Sequence, residues 1–285
     1  MNTSYQKSAA YQAQMTSFEF KRLGSFIQKN YGIKLPPQKR MMVQGRLHKR
    51  LIANDMDSFS DYLEYVFSDK GMEVELPAMV DIISTNKTDF FREPSHFNTL
   101  TDLVLQEYVK SHSFSSFKVW SAGCSSGEEV YTLAMVINEF FESHKGYLFQ
   151  ILGTDISHQM LENSRKAIYR FKDVATMPLY LKRKYLLKSK NRELQQVRIV
   201  PDLRAKCKFQ RLNFMDETYE LAETFDVAFC RNVIIYFEAD VQEKVLSKIL
   251  SHVKLGGYLF LGHSESINDM NLPVKKILPT VFQKI

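Results

Sequence analysis

Residues 117–129 read FKVWSAGCSSGEE, and residues 148–155 read LFQILGTD. Phe117 to Ala122 is a short run of β-forming residues. Gly123 to Gly127 interrupts it, and from Glu128 to Phe141 the apolar residues recur with a helical period. Leu148 to Gly153 repeats the strand signal and ends in Thr154-Asp155. Strand, glycine-bounded turn, amphipathic helix and strand together predict an α/β domain, with a mostly parallel sheet covered on both faces. Working outward, Cys207–Leu212, Phe225–Cys230 and Tyr258–Leu261 read as further strands. A helix from about Asp240 to Val253 separates the last two, and Val274 to Ile285 reads as two short strands around Pro279. The stretch 165–206 breaks this rhythm. It reads as a helix followed by a small antiparallel insertion, with Val197 to Val200 its clearest strand.

Upstream, the first 85 residues read as helices. Phe18, Leu23, Phe26 and Ile27 recur at helical spacing until Gly32 and Pro36-Pro37. Further helices are expected over Gln38–Ala53, Phe59–Phe67 and from near Pro77 to Ser84, since proline is tolerated in a first turn. The polar string Thr85 to Asp89 predicts a domain junction. The expected layout is a flexible tail over residues 1–17, a helical domain and linker over 18–87, and the α/β domain over 88–285.

Composition narrows the class. The chain has 285 residues, 45% of them apolar and 25% charged, which is ample for a core and excludes a disordered or collagen-like chain. No apolar run approaches the eighteen or so residues of a membrane span. Met1 to Thr16 lacks the apolar core of a secretory signal. Cys124, Cys207 and Cys230 have neither metal-type spacing nor an even count. A soluble cytoplasmic protein without metal is expected. Charge is segmental: residues 18–50 hold nine Lys/Arg against one acid, residues 55–81 eight acids against one Lys, and residues 165–211 fifteen Lys/Arg against three acids. Such blocks are solvated faces or docking surfaces for acidic partners.

Gly123 to Gly127 lies where a ligand can approach the backbone and meet the N–H groups of a helix start. Asp155, ending the next strand, suits ribose hydroxyls. The loop is not the GxGxxG pattern, and Glu128-Glu129 would repel a pyrophosphate but could meet an amino group. The same loop also fits G-x-S-x-G, the turn that carries a hydrolase nucleophile, with Ser125, Asp226 and His263 in triad order. That turn normally follows several strands, whereas this one follows the first. Arg231-Asn232 after FDVAFC puts polar groups at the carboxyl end of the sheet, with Tyr236 and Phe237 close behind.

The strings NKTDFFR (86–92), SAGCSSGEE (121–129), TDI (154–156), FCRNVIIYF (229–237) and GHSES (262–266), in this order, resemble the CheR-type chemotaxis receptor methyltransferases over about residues 18–285. The resemblance implies a small all-α domain followed by a Rossmann-like S-adenosylmethionine-binding domain with an inserted antiparallel β-subdomain, at about 170–206. It implies that Asn86, Thr88 and Arg92 reach the cofactor or the reacting centre from the linker. Glu129 would contact the methionine part, with Ala122 and Gly123 nearby, and Asp155 would take the ribose hydroxyls. Leu212 and Asn213 would border the adenine, Arg231 and Asn232 would close the pocket, and Tyr236 would sit beside the departing methyl. Members that bind a receptor tail peptide often carry glycines in the β-subdomain loop; Ser189 to Gln196 has none.

The expected activity is methyl-esterification of glutamates on the cytoplasmic helical bundle of a chemoreceptor, releasing S-adenosylhomocysteine, with no nucleic acid partner and no membrane insertion. Lys39, Arg46 and Arg50 fall within about 40° of one another around a helix and are expected to dock the receptor's acidic methylation helices. Two alternatives stand beside this reading: a nucleic-acid methyltransferase, suggested by the basic block 165–211, and a catalytically degenerate signalling module of the same fold.

Overall fold

A computed structural model describes residues 10–285. It divides into two compact units, the first ending at Thr85 and the second beginning at Asn86; the first also takes in Ile156–His158 and Tyr236–Glu238. Residues 1–9 of the expected tail lie outside the described residues. From Ala10 onward that expectation fails. Ala10 and Met15 are buried in the helical core, and the Met15 N–H donates to Gln44 Oε1 at 2.9 Å.

The first unit is built from α1 (Ser17–Tyr31), α2 (Arg40–Ala53), α3 (Phe59–Val66), α4 (Asp69–Val74) and α5 (Leu76–Ile83). Thr16 and Glu19 cap α1 reciprocally, an arrangement that contributes about 0.5–2 kcal/mol. Leu23, Ile27, Val43, Leu47, Leu51, Tyr62, Leu63 and Val66 are fully buried, each aliphatic one stabilising the fold by about 1.5–3 kcal/mol. Phe18, assigned to the apolar face by spacing, is instead 77% exposed; Phe20 takes the core position. The short α4 is absent from the sequence expectation because Gly71 interrupts its signal. Pro77 sits in the first turn of α5, as its missing N–H requires.

The second unit holds a seven-stranded sheet. Its strands are β1 (Ser116–Ala122), β2 (Leu148–Asp155), β6 (Cys207–Arg211), β7 (Phe225–Cys230), β8 (Val253–Leu261), β9 (Val274–Leu278) and β10 (Val281–Lys284), in the order β6-β2-β1-β7-β8-β10-β9. The first five are mutually parallel, while β10 runs antiparallel to both β8 and β9. β7 is buried along its whole length, as a strand covered on both faces must be. Helices α6 (Glu128–Ser143), α7 (His158–Lys166) and α8 (Ala239–Ser251) make the connections. A further helical run precedes β1, in three segments: Ser95–Thr99, the π-helical Leu100–Leu105 and Gln106–Ser111. A second, three-stranded antiparallel sheet is formed by β3 (Ile168–Arg170), β4 (Leu186–Lys188) and β5 (Gln196–Ile199), in the order β3-β5-β4. This is the insertion that interrupts the strand–helix rhythm. Among the described residues, no helix is long and apolar enough to cross a membrane.

Strand order reverses at β1, which has β2 on one side and β7 on the other. In open α/β sheets ligands bind at the carboxyl ends of strands at such a point.

Candidate functional site

The turn after β1 is tied to the end of β2: the N–H groups of Gly123 and Cys124 both donate to Thr154 O at 2.8 Å. Gly123 has φ +84°, and a Cβ there would lie 2.4 Å from Val233 Cγ2, so only glycine fits. The next residue but one, Ser125, is also left-handed (φ +48°). Its N–H donates to Asp155 Oδ2 at 2.7 Å, and its hydroxyl donates to Asn86 O at 2.8 Å. Asp155 is buried. Below it, the Leu212 N–H donates to Asp155 O, and the Asn213 side chain accepts from Met215 N. Residues after β1, β2 and β6 thus meet at one end of the sheet, together with the backbone of Asn86.

A second network joins β1, β7 and the segment following Arg92. Arg231, with a side chain 2% exposed, is held between two carboxylates: Nη1 donates to Glu129 Oε2 at 3.1 Å and Nη2 to Glu93 Oε2 at 3.0 Å. Nη2 also reaches Arg92 O at 2.5 Å, and Ser121 Oγ donates to Glu129 Oε1 at 2.7 Å. One positive charge faces two negative ones. Burial alone would raise the Glu93 carboxyl, but Arg231 outweighs it and holds it below the usual carboxylate range. Glu128, whose neighbour Glu129 carries this contact, turns away to accept from Ser126 Oγ. Burial pushes its carboxyl up to about 7.

Glu265 shapes the turn after β7. It is buried, and its two oxygens accept four backbone N–H groups, from Asn232, Val233, Ile234 and Gly262, at 2.6–3.0 Å. Asn232 is held left-handed (φ +59°), and Gly262 gives it room, since a Cβ there would meet the Asn232 N at 2.9 Å.

Of the residues expected in the site, Ala122, Gly123, Glu129, Asp155, Leu212, Asn213, Arg231 and Asn232 follow or end adjacent strands at this end of the sheet. Asn86 joins them through its carbonyl. Arg92 lies beside Arg231 by its backbone, while its Nη1 donates to Lys87 O at 3.2 Å. Thr88 is half-buried. Tyr236 groups with the first unit: its carbonyl accepts from Lys34 N at 2.9 Å, and the Lys39 ammonium lies 5.5 Å from its ring centre. Glu93, Glu265 and Ser121 have no assigned role in the sequence reading. GHSES marks Glu265 as belonging to an unusual string, but neither periodicity nor spacing pairs Glu93 with a residue 138 positions away.

The docking expectation meets a structural finding. Arg50 is bidentate to buried Glu75, with Nε at 2.7 Å and Nη2 at 2.5 Å, and Arg46 Nη1 donates to the carbonyls of Ile82, Ile83 and Ser84 at the end of α5. Both arginines are internal fasteners; shared helical angle says nothing about which face a neighbouring helix covers. The hydrolase triad fails on geometry. Asp226 is the second residue of β7, at the end of that strand opposite Arg231, where it accepts from Lys118 N and Lys254 Nζ, and Ser125 Oγ donates to a backbone carbonyl rather than to a histidine.

Family comparisons agree with this geometry. The CheR methyltransferase SAM-binding domain matches residues 86–282, and the CheR methyltransferase all-alpha domain matches residues 19–84. A chemotaxis protein methyltransferase of Borreliella burgdorferi is 36% identical over 274 residues, covering 95% of each chain. Chemotaxis protein methyltransferase 1 of Pseudomonas aeruginosa is 35% identical, covering 88% of this chain and 91% of its own. The chemotaxis protein methyltransferase of Klebsiella aerogenes is 34% identical, covering 90% and 86%. With both domains matched across nearly the whole sequence, the chain belongs to the CheR methyltransferase family.

Proposed function

We propose a division of labour for this family's reaction. The chain is an S-adenosylmethionine-dependent protein-glutamate O-methyltransferase acting on chemoreceptors; in our reading its carboxylates hold the cofactor and its linker residues orient the substrate. The observation that carries the reading is the charge count around Arg231, one guanidinium against Glu93 and Glu129. A negative charge is left over, which fits the cationic methionine part of the cofactor. Asp155 takes the ribose hydroxyls, Leu212 and Asn213 border the adenine, and Gly123 keeps the backbone beside Ala122 approachable. Asn86, Thr88 and Asn232 complete the pocket.

When bound, S-adenosylmethionine supplies a methyl group on a sulfonium sulfur. A glutamate has a reference pKa near 4.3, so the nucleophile arrives ionised and no residue of the chain needs to take a proton. Opposite charges neutralise as the methyl moves, so residues that exclude water help, and groups that stabilise the separated ions do not. Proximity and orientation then carry the rate, a contribution of roughly 7–11 kcal/mol in favourable systems. Arg92 orients a carboxylate, and Tyr236 positions the reacting groups.

The partner is the acidic methylation region of the receptor's cytoplasmic helical bundle, and the enzyme works in the cytoplasm. Because Arg46 and Arg50 have internal partners, docking falls chiefly to Lys39. The test is labelled-methyl transfer to receptor fragments. The product should be alkali-labile, as a carboxyl ester must be, and Tyr236→Phe should lower kcat with cofactor affinity nearly intact. An alkali-stable product, or transfer to RNA instead, would overturn the reading.

A further inference from the structure

β7 ends at Cys230, and the chain leaves the sheet through Arg231, Asn232 and Val233 into a short 3-10 turn, Ile234–Tyr236. This exit carries two of the residues assigned to the cofactor pocket. Asn232 is left-handed (φ +59°), a conformation that an L residue enters at a cost. The N–H groups at the start of a helical turn, moreover, have no carbonyl within it to bond. Here three consecutive N–H groups, from Asn232, Val233 and Ile234, donate to one side chain, Glu265, at 2.9–3.0 Å.

The bonding pattern calls for a carboxylate. Oε2 accepts from Asn232 N and Gly262 N at 3.0 and 2.6 Å, and Oε1 from Val233 N and Ile234 N at 2.9 and 3.0 Å. Glu265 is buried, and the arginine of this turn, Arg231, is committed to Glu93 and Glu129. Four N–H dipoles therefore take the place of a countercation. Successive N–H groups that converge on one point form a concavity of this kind for an anion, and each charge-assisted bond is roughly twice as strong as a neutral one. The two turns also meet backbone to backbone: a Cβ on Gly262 would lie 2.9 Å from Asn232 N and 2.6 Å from Asn232 Nδ2. The turn after β8 thus fixes three consecutive peptide groups of the turn after β7.

We propose that Glu265 is a positioning residue for the methyl-transfer site: its carboxylate sets the turn that carries Arg231 and Asn232 before the cofactor arrives, so the pocket is preformed rather than folded on binding. The inference rests on the assignment of Arg231 and Asn232 to the cofactor pocket under the proposed function. Its physical content is an occupancy. Where the binding-competent turn is present in only a fraction of molecules, the apparent affinity falls by that fraction. Glutamine shows what the carboxylate supplies. It has the same shape, but one acceptor oxygen and one NH2 donor in place of two acceptors. Whichever way the amide is turned, its NH2 opposes two of the four N–H groups, either those of Asn232 and Gly262 or those of Val233 and Ile234.

The test joins amide hydrogen exchange with calorimetry on the full chain. In the cofactor-free wild type, the N–H groups of Asn232, Val233, Ile234 and Gly262 should already be protected, and S-adenosylhomocysteine should slow them no more than it slows the amides of β7. Slowing confined to these four amides on binding would show a turn folded by the cofactor and would overturn the proposal; this arm needs no variant. Glu265→Gln, measured well below its melting temperature, should bind S-adenosylhomocysteine roughly 10–100-fold more weakly, the effect of a turn formed in about 1–10% of molecules. Glu75→Gln, which disturbs a buried carboxylate of the helical unit, is the control: its melting temperature should fall with affinity unchanged. Wild-type affinity in Glu265→Gln would overturn the proposal, since a merely structural glutamate lowers stability without moving the Kd of the folded protein. Asn232→Gly, which keeps the left-handed backbone and removes the side chain, separates this from a failure of the underlying assignment. Weakened binding there with normal binding in Glu265→Gln would sink the role of Glu265 alone. Normal binding in both would remove the turn from the cofactor pocket, and this inference with it.

Discussion

The two units each hold an arginine against carboxylates, and they balance the charge differently. In the helical unit, Arg50 meets one carboxylate, Glu75, which also accepts from Tyr62 Oη at 2.8 Å. Burial alone would raise the Glu75 carboxyl, but the bonds from Arg50, Tyr62 and Asn54 outweigh it and hold the group ionised. The cluster is closed, with one charge of each sign and the hydroxyl satisfied. In the α/β unit, Arg231 meets two carboxylates, Glu93 and Glu129, in a neighbourhood where Phe91, Glu93, Ser125 and Asn232 are all left-handed without being glycine. Such backbone strain costs about 1–3 kcal/mol per residue and concentrates at functional sites. A balanced buried pair fastens a fold. An unbalanced one is what we propose the cofactor completes.

The sharpest way to break this contrast is to remove each arginine. Arg231→Leu leaves two half-buried carboxylates without their buried cation, a loss of up to about 3–5 kcal/mol, and should abolish measurable S-adenosylhomocysteine binding as well. Denaturant unfolding and calorimetry on the same protein would check both. A stable Arg231→Leu protein with normal affinity would mean that Glu93 and Glu129 do not act as a charged pair.

Next in size is Glu75→Ala. It strands Arg50 and Tyr62 and should cost about 3 kcal/mol, read as a lowered unfolding midpoint while cofactor affinity holds. The double replacement Arg50→Met with Glu75→Leu should recover most of that loss, since well-packed apolar residues often substitute for a buried ion pair. Charge reversal at Arg50 would also unfold this cluster, so it cannot report on receptor docking; Lys39→Glu can.

The same contrast explains what was legible in the sequence. Local period is written residue by residue, so β1, α6, β2 and β7 fall within a few residues of their expected bounds. The helical run from Ser95 to Ser111 carries that period too, in Phe97, Leu100, Val104 and Tyr108, all buried. Glu93-Pro94 in front of it looks like a turn, and the junction string draws attention away. Motif order made Glu129, Asp155 and Arg231 legible one at a time. Their mutual charge count was not, because Glu93 joins Arg231 only through the fold. For the same reason Arg46 and Arg50 looked like a docking face: α5, which supplies their partners, cannot be placed by the angles of α2.

Asp155→Ala tests the ligand side of the comparison with a smaller effect. It removes the proposed acceptor for the ribose hydroxyls and also the partner of the Ser125 N–H, 2.7 Å away. A charge-assisted hydrogen bond contributes about 1.5–3 kcal/mol, so calorimetry should show S-adenosylhomocysteine binding weakened roughly 10–100-fold. Asp155→Asn should fall between, because it keeps an oxygen for Ser125. Unchanged affinity in Asp155→Ala would remove this carboxylate from the cofactor site.

The smallest effect, and the one of opposite sign, is expected at Glu128. Its carboxylate is buried, is in no ion pair with an arginine among the described residues, and accepts from Ser126 Oγ at 2.7 Å. Burial pushes it up to about 7. A carboxyl raised by folding contributes stability while it is protonated, below its ordinary value near 4.3, and that contribution fades as pH rises through about 7. Glu128→Gln keeps the volume and the Ser126 contact but carries no charge to bury. The variant should therefore match the wild type near pH 4 and melt at a higher temperature than it near pH 8, with the gap opening between these limits. A gap of constant size across the range would mean that Glu128 titrates like an exposed carboxylate, and that the helix start of α6 tolerates its charge as readily as that of Glu129, which is paired with Arg231.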